Sequence, residues 1–224
     1  MLTMLVIATT NPNKLKEFKE ILKDLDIEVR SLADFGPIPE IIEDGATFDD
    51  NAYKKAWQTA KILGLPTIAD DSGLVVEALD GAPGVYSARY SGEDATDEKN
   101  VAKLLSELQG VENRKASFQC VLSIAVPSGP ALTYEGSCEG VIIDEQRGDN
   151  GFGYDPVFYF EEFDKTFAEL TMDEKNKVSH RGKALAQVKA EVQQIKKWLD
   201  QRLFEEKPQK PDHSEFENND WSNQ

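Results

Sequence analysis

Cysteine and histidine are scarce in this chain, at two residues each among 224. Cys120 and Cys138 cannot build the disulfide framework of a small secreted scaffold, and their scarcity points to a reducing, cytoplasmic compartment. No apolar run approaches the roughly 20 residues that a membrane-spanning helix needs. The short apolar run at 4–8 has no basic flank before it, so it does not read as a secretory signal. Positive charge is also short: 25 Lys and Arg face 41 Asp and Glu, a formal net charge of −16. Affinity for nucleic acids and anionic membranes comes from cationic contacts to phosphate, so neither is expected as a partner. A small anionic ligand remains compatible, provided a local cluster of Lys, Arg and metal grips it.

What is present is enough apolar material for one sizeable core, at 40% hydrophobic residues. Residues 1–204 read as one folded domain. Residues 205–224 hold six acidic and two basic residues and little that is apolar beyond Phe216 and Trp221. That segment reads as an acidic disordered tail.

The densest chemistry lies at Ile68-Ala69-Asp70-Asp71-Ser72-Gly73. A buried strand is expected to end there on two carboxylates, with a second strand returning from Leu74. Two adjacent carboxylates at a strand end need a cation, a basic side chain or backbone N–H partners. Mg²⁺ is held by one or two carboxylates plus substrate phosphates, so a metal–phosphate site fits; a tight turn fits the same residues.

Near the N-terminus an apolar strand runs into Thr9-Thr10-Asn11-Pro12-Asn13-Lys14, with Asn11 as helix cap and Pro12 as first helical residue. Free N–H groups at such a joint favour an anion, and Lys14 in the first turn suits one. This is no Walker loop, because the glycines and the Gly-Lys-Ser/Thr are missing. A second helix is expected over 48–63, capped by Thr47 and ended by Gly64, with Glu43 and Asp44 just before it. The run 81–92 reads as an ordered loop. A strand over 116–126 and two more near 132–136 and 138–143 make an antiparallel stretch. Phe152-Gly153-Tyr154-Asp155-Pro156 offers flat rings to a base and a carboxylate fixed by proline. Lys175 precedes Ser179-His180-Arg181-Gly182, where Ser179 caps a last helix running to about Phe204. A cationic pair in a first turn makes sense beside a ligand with acceptor atoms, or as a solvated surface pair.

Together these pieces resemble the inosine triphosphate pyrophosphatase family, which removes non-standard purine nucleoside triphosphates. The resemblance rests on six segments in the family's order: 9–14, Thr47-Phe48 with Asn51-Ala52, 68–73, 81–90, 152–156 and 179–182. It implies an α/β fold with an elongated mixed β-sheet, flanking helices and two lobes around a central nucleotide cleft, assembled as a homodimer. It implies Mg²⁺-dependent hydrolysis of ITP, dITP and XTP to the monophosphate and pyrophosphate. By position, Asp71 is the general base and a metal-linked carboxylate, with Glu43 as the second metal ligand. Ser72 touches substrate. Thr9, Thr10, Asn11, Pro12, Asn13 and Lys14 hold the triphosphate, with Lys175 assisting. Phe152, Gly153, Tyr154, Asp155, His180 and Arg181 hold the base. One position departs from the family: Ile42 stands where many members carry the earlier of two acidic residues, leaving Glu43 and then Asp44.

Competing readings are a pyrimidine triphosphate pyrophosphatase, a non-catalytic nucleotide-binding module and an acidic scaffold. Pyrophosphate release from a nucleotide panel separates all of them from the purine enzyme. Deletion of 205–224 is expected to leave turnover and melting temperature unchanged. A drop of more than about 4 °C would reveal roughly a kcal/mol of docking by that segment.

Overall fold

The computed structural model describes residues 3–23 and 27–205. The tail expected over 205–224 lies outside the described residues, apart from Glu205 at the end of the last helix. The architecture is mixed α/β. Seven strands form one sheet in the order β2-β1-β3-β4-β5-β6-β7. β1 (Thr3–Ile7) pairs parallel with both β2 (Ile27–Ser31) and β3 (Thr67–Val76). From β3 onward every pairing is antiparallel, through β4 (Lys115–Ala125), β5 (Ala131–Ile142), β6 (Phe158–Phe160) and β7 (Lys165–Thr166).

Helix boundaries follow local chemistry. α1 (Pro12–Leu22) starts where the Asn11 side chain accepts the N–H groups of Asn13 and Lys14. α2 (Phe48–Leu63) starts at Thr47, whose hydroxyl accepts the Asp50 N–H, and ends at Gly64 in the left-handed region at φ 66°. α3 spans Asp97–Glu107 and is capped by Thr96. α4 (Met172–Val178) and α5 (His180–Ala190) meet at Ser179, which closes one and caps the other. That junction fixes Lys175 relative to His180 and Arg181.

Three sequence expectations are corrected. The Asp-Asp-Ser-Gly segment is not a corner: β3 runs straight through it for ten residues, because each carboxylate finds a partner beside the sheet. The two strands expected at 132–136 and 138–143 are one twelve-residue strand, β5. Gly136 marks a close approach there, not a break: a Cβ on it would lie 2.2 Å from the His180 carbonyl. The last helix is divided, with α6 (Val192–Glu205) separated from α5 at Glu191, whose carboxylate accepts the Tyr134 hydroxyl. The 81–92 run also contains a 3₁₀ segment, Gly84–Arg89.

Strand alternation sorts the two faces of the sheet. Ile68, Cys120, Leu122 and Ile124 join Phe18 of α1 and Leu185 of α5 in one core cluster. Ala69, Val121 and Ala125 pack instead toward Ala52 and Ala56 of α2. A further cluster gathers at the other end of the long strands, where Leu74, Val76 and Phe118 meet Leu104, Phe158 and Phe167.

Gly136→Ala is expected to push α5 off β5, since the added carbon would also lie 2.8 Å from the Ala184 N–H. Overpacking of this kind costs about 1–3 kcal/mol. Thermal unfolding should therefore shift down by about 2–4 °C for each kcal/mol, and an unchanged midpoint would contradict this seating of the helix.

Candidate active site

A cavity of about 630 Å³ opens at the junction of β1 with α1, the middle of β3, and the segments around 36–46 and 152–155. Thr9, Thr10, Asn11 and Lys14 line it, whereas Pro12 and Asn13 do not. The joint differs from the expected anion nest. The Asn11 carboxamide already takes the Asn13 and Lys14 N–H groups, at 2.9 and 3.2 Å. This strand–helix joint brings to the cavity wall Thr9, whose hydroxyl accepts the Asn11 N–H at 3.2 Å, with Thr10, Asn11 and Lys14.

Asp70 and Asp71 face opposite ways from β3 and meet different surroundings. Asp70 is 1% exposed and does not line the cavity. Its Oδ2 meets Lys14 Nζ at 3.0 Å and the Arg181 guanidinium at 2.9 Å. Burial alone would raise this carboxyl, but Lys14 and Arg181 outweigh it and hold it far below the usual carboxylate range. Arg181 also donates to the Ser72 hydroxyl at 2.8 Å and to Glu17 of α1. Glu17 Oε1 lies 3.3 Å from Lys175 Nζ, and Lys175 reaches Asp155 Oδ2 at 2.6 Å. Lys14, Asp70, Arg181, Glu17, Lys175 and Asp155 thus form a chain of alternating charge with three cations and three anions.

Asp71 forms no ion pair among the described residues. Its Oδ1 accepts the Ser72 N–H at 3.0 Å and its Oδ2 accepts the Asn51 carboxamide at 3.0 Å. Burial raises this carboxyl above its ordinary value, and nearby Lys55 opposes the rise without cancelling it. Asp71, Ser72 and Glu43 all line the cavity, as does Lys55, whose ammonium lies 3.1 Å from Glu43. No group of three His, Cys, Asp or Glu side chains that could hold a metal occurs among the described residues. Five carboxylates line the cavity, Glu40, Glu43, Asp71, Asp97 and Asp155, and of these Glu43 lies close enough to Asp71 for its charge to act on it; both are hard oxygen ligands. That set fits Mg²⁺, which takes one or two carboxylates and completes its shell with water and phosphate oxygens.

At the far end, Phe152, Gly153, Tyr154, Asp155, Lys175, His180 and Arg181 all border the same space. Lys175 sits over the Phe152 ring, 4.7 Å from its centroid. Tyr154 is buried in the second core cluster and donates its hydroxyl to the Ser87 carbonyl, so its ring is committed to packing. His180 stacks on Phe118 at 4.8 Å. Burial, reinforced by Arg181 and Lys175, keeps the imidazole well below its ordinary value and so neutral, and its buried Nδ1 has no hydrogen-bond partner among the described residues. His180 and Arg181 are not the solvated pair that the sequence also allowed, and the Arg181 side chain points at Asp70 and Glu17.

The sequence model of the Ham1 family matches residues 5–191. This chain belongs to the Ham1 family. A relative named dITP/XTP pyrophosphatase from Desulfotalea psychrophila is 73% identical over 222 residues, covering 99% of this chain and 100% of the relative. Another of that name, from Geobacter sulfurreducens, is 56% identical over 190 residues, covering 84% and 96%. Among solved structures, a HAM1 protein from Coxiella burnetii superposes with a TM-score of 0.80 at 45% identity, covering 87% of this chain and all (100%) of that one. The Ham1 protein of Staphylococcus aureus gives 0.78 at 41%, covering 86% and 100%. Three residues of this Ham1 cavity region escaped sequence reading as site residues: Glu17, Asn51 and Lys55. Each sits in a helix where a polar residue reads as solvated, and only Asn51 lay within a family-like segment.

Asp70→Asn should remove the shared acceptor of Lys14 and Arg181 and cost about 3–5 kcal/mol, the range for breaking a buried pair. The sign with pH is fixed. Asp70 titrates below its ordinary 3.8 in the folded state, so its stabilisation is present above that value and fades as pH falls toward the folded value. Urea unfolding from pH 6 to 2 should show the gap between wild type and Asp70→Asn narrowing on the acid side. A gap constant with pH would contradict the pairing.

Proposed function

We propose that this Ham1-family enzyme hydrolyses ITP, dITP and XTP to the monophosphate and pyrophosphate with Mg²⁺ as cofactor. One observation carries the reading. The cavity faces a buried carboxylate without a cationic partner, Asp71, toward a space bordered by Lys14, Lys55 and Lys175. Lysines along the cavity wall, two of them close enough to act on Asp71, suit a polyphosphate chain whose cleavage needs charge neutralisation, a positioned water and a base.

In this reading the Thr9 and Thr10 hydroxyls, Ser72 and the lysines grip the triphosphate. Asp71 and Glu43 would hold Mg²⁺, which when bound stabilises negative charge on the departing pyrophosphate. A water oxygen forms a bond to the α-phosphorus while the bond from that phosphorus to the αβ-bridging oxygen breaks. The water proton passes to the Asp71 carboxylate, and pyrophosphate leaves with the electron pair. The reading includes the homodimer that the resemblance implies and a cytoplasmic location, with which the buried, unpaired Cys120 and Cys138 are compatible.

Base selection rests on the start of α5. The first N–H groups of a helix have no intrahelical partner, and neutral His180 keeps one ring N–H. An oxygen at purine C6, as in inosine and xanthine, accepts such donors. The amino group of adenine would set donor against donor, at about 1–3 kcal/mol per unpaired group. With its guanidinium committed to Asp70 and Glu17, Arg181 contributes to base reading through its backbone N–H rather than its side chain.

The test is a triphosphate panel with Mg²⁺, scoring pyrophosphate and phosphate separately. ITP, dITP and XTP should release pyrophosphate, and ATP should be poor. Phosphate as the first product, or turnover of pyrimidine nucleotides alone, would sink the proposal. Asp71→Asn should fold and lose about 10²–10⁴ in turnover. His180→Ala should narrow the ITP-to-ATP ratio in kcat/KM mainly by slowing ITP, and an equal loss on both would remove His180 from base reading.

A further inference from the structure

Asn51 lies in the first turn of α2, is 1% exposed, and makes two hydrogen bonds in opposite directions. Its Oδ1 accepts the Gly45 N–H at 2.8 Å, and its Nδ2 donates to Asp71 Oδ2 at 3.0 Å. The partners assign the amide orientation, since a backbone N–H requires an acceptor and a carboxylate requires a donor. Gly45 follows Glu43 by two residues, in the irregular segment that leads into α2. A side chain at Gly45 has no room: a Cβ would lie 2.6 Å from Asp50 Cβ and 2.8 Å from Asn51 Oδ1.

Glu43 and Asp71 therefore belong to different elements, one on an irregular segment and one on the central strand β3. The segment has further tethers. Glu43 pairs with Lys55, Asp44 pairs with Lys54, and Arg89 donates to the Glu43 carbonyl at 3.1 Å. Among the described residues none of these three hydrogen-bonds to or ion-pairs with Asp71, although the Lys55 charge acts on it. Asn51 touches both parts, and as a neutral amide it does so without compensating the Asp71 charge.

We propose that Asn51 is a positioning residue: its amide locks the Glu43-bearing segment to Asp71 so that the two carboxylates close on one divalent cation. The inference rests on the pyrophosphatase reading above and deepens it. Without the amide, Asp71 loses a donor and the Gly45 N–H loses its acceptor, so the second carboxylate is no longer held in register with the first.

The experiment is calorimetric titration of Mg²⁺ into the full chain saturated with α,β-methylene ITP, which cannot be cleaved. Nucleotide affinity without metal is measured alongside. Partners that orient metal ligands typically carry about 10- to 100-fold in metal affinity, and Asn51→Ala should weaken Mg²⁺ binding by that factor while metal-free nucleotide affinity stays at the wild-type value. Gly45→Ala is the second variant. It displaces the segment by crowding Asp50 and the Asn51 amide while keeping the Asn51 and Asp71 side chains chemically intact, and it decides the question if Asn51→Ala does not fold. It should likewise weaken Mg²⁺ and spare the nucleotide. Mg²⁺ affinity within about twofold of wild type in a folded variant would overturn the inference, as would parallel loss of metal and nucleotide, which marks general disruption. If the wild-type chain takes up no Mg²⁺ with the analogue bound, the metal-dependent reading itself fails and this inference falls with it.

Discussion

Lys14 and Arg181 meet on a single oxygen of Asp70, and the rest of the site depends on that contact. An aspartate this deep is tolerated only if paired, and a buried arginine is tolerated only if its fork is filled. Each demand recruits the next residue: Arg181 takes Glu17, Glu17 takes Lys175, and Lys175 takes Asp155. Formal charge cancels along the chain. Its terminal and penultimate cations, Lys14 and Lys175, border the cavity. Buried carboxylates thus hold these cations in place at the cavity wall.

The same logic explains why neighbouring aspartates behave oppositely. Asp70 faces α1 and α5 and finds two cations, which outweigh burial and hold it ionised. Asp71 faces α2 and finds a neutral amide and a backbone N–H, so burial prevails and its carboxyl is raised. One residue of strand register therefore separates a carboxylate held by two cations from one held by a neutral amide and a backbone N–H.

Local rules made much of the fold legible. Asn11, Thr47, Ser179 and Gly64 mark helix ends by chemistry that acts within a turn, and those boundaries stand in the structure. What stayed hidden depends on contacts between distant segments. The Asp70-Asp71 pair looked like a strand end because the arginine that neutralises Asp70 lies far along the chain. Gly136 looked like a strand break because the helix backbone that needs the space is distant in sequence. Glu17 has the helical spacing of a solvated residue, and only the fold shows it between Arg181 and Lys175. The resemblance named the set of residues that surround the cavity. It did not show that the Arg181 guanidinium is bonded to Asp70, Glu17 and Ser72.

The account turns on water attacking the α-phosphorus at Asp71 with pyrophosphate as the leaving group. Turnover of ITP with Mg²⁺ in oxygen-18 water, followed by mass spectrometry of both products, tests that directly. One labelled oxygen should appear in inosine monophosphate and none in the released pyrophosphate. Label in the pyrophosphate, or in inorganic phosphate formed as the first product, would place attack at a different phosphorus and contradict the account.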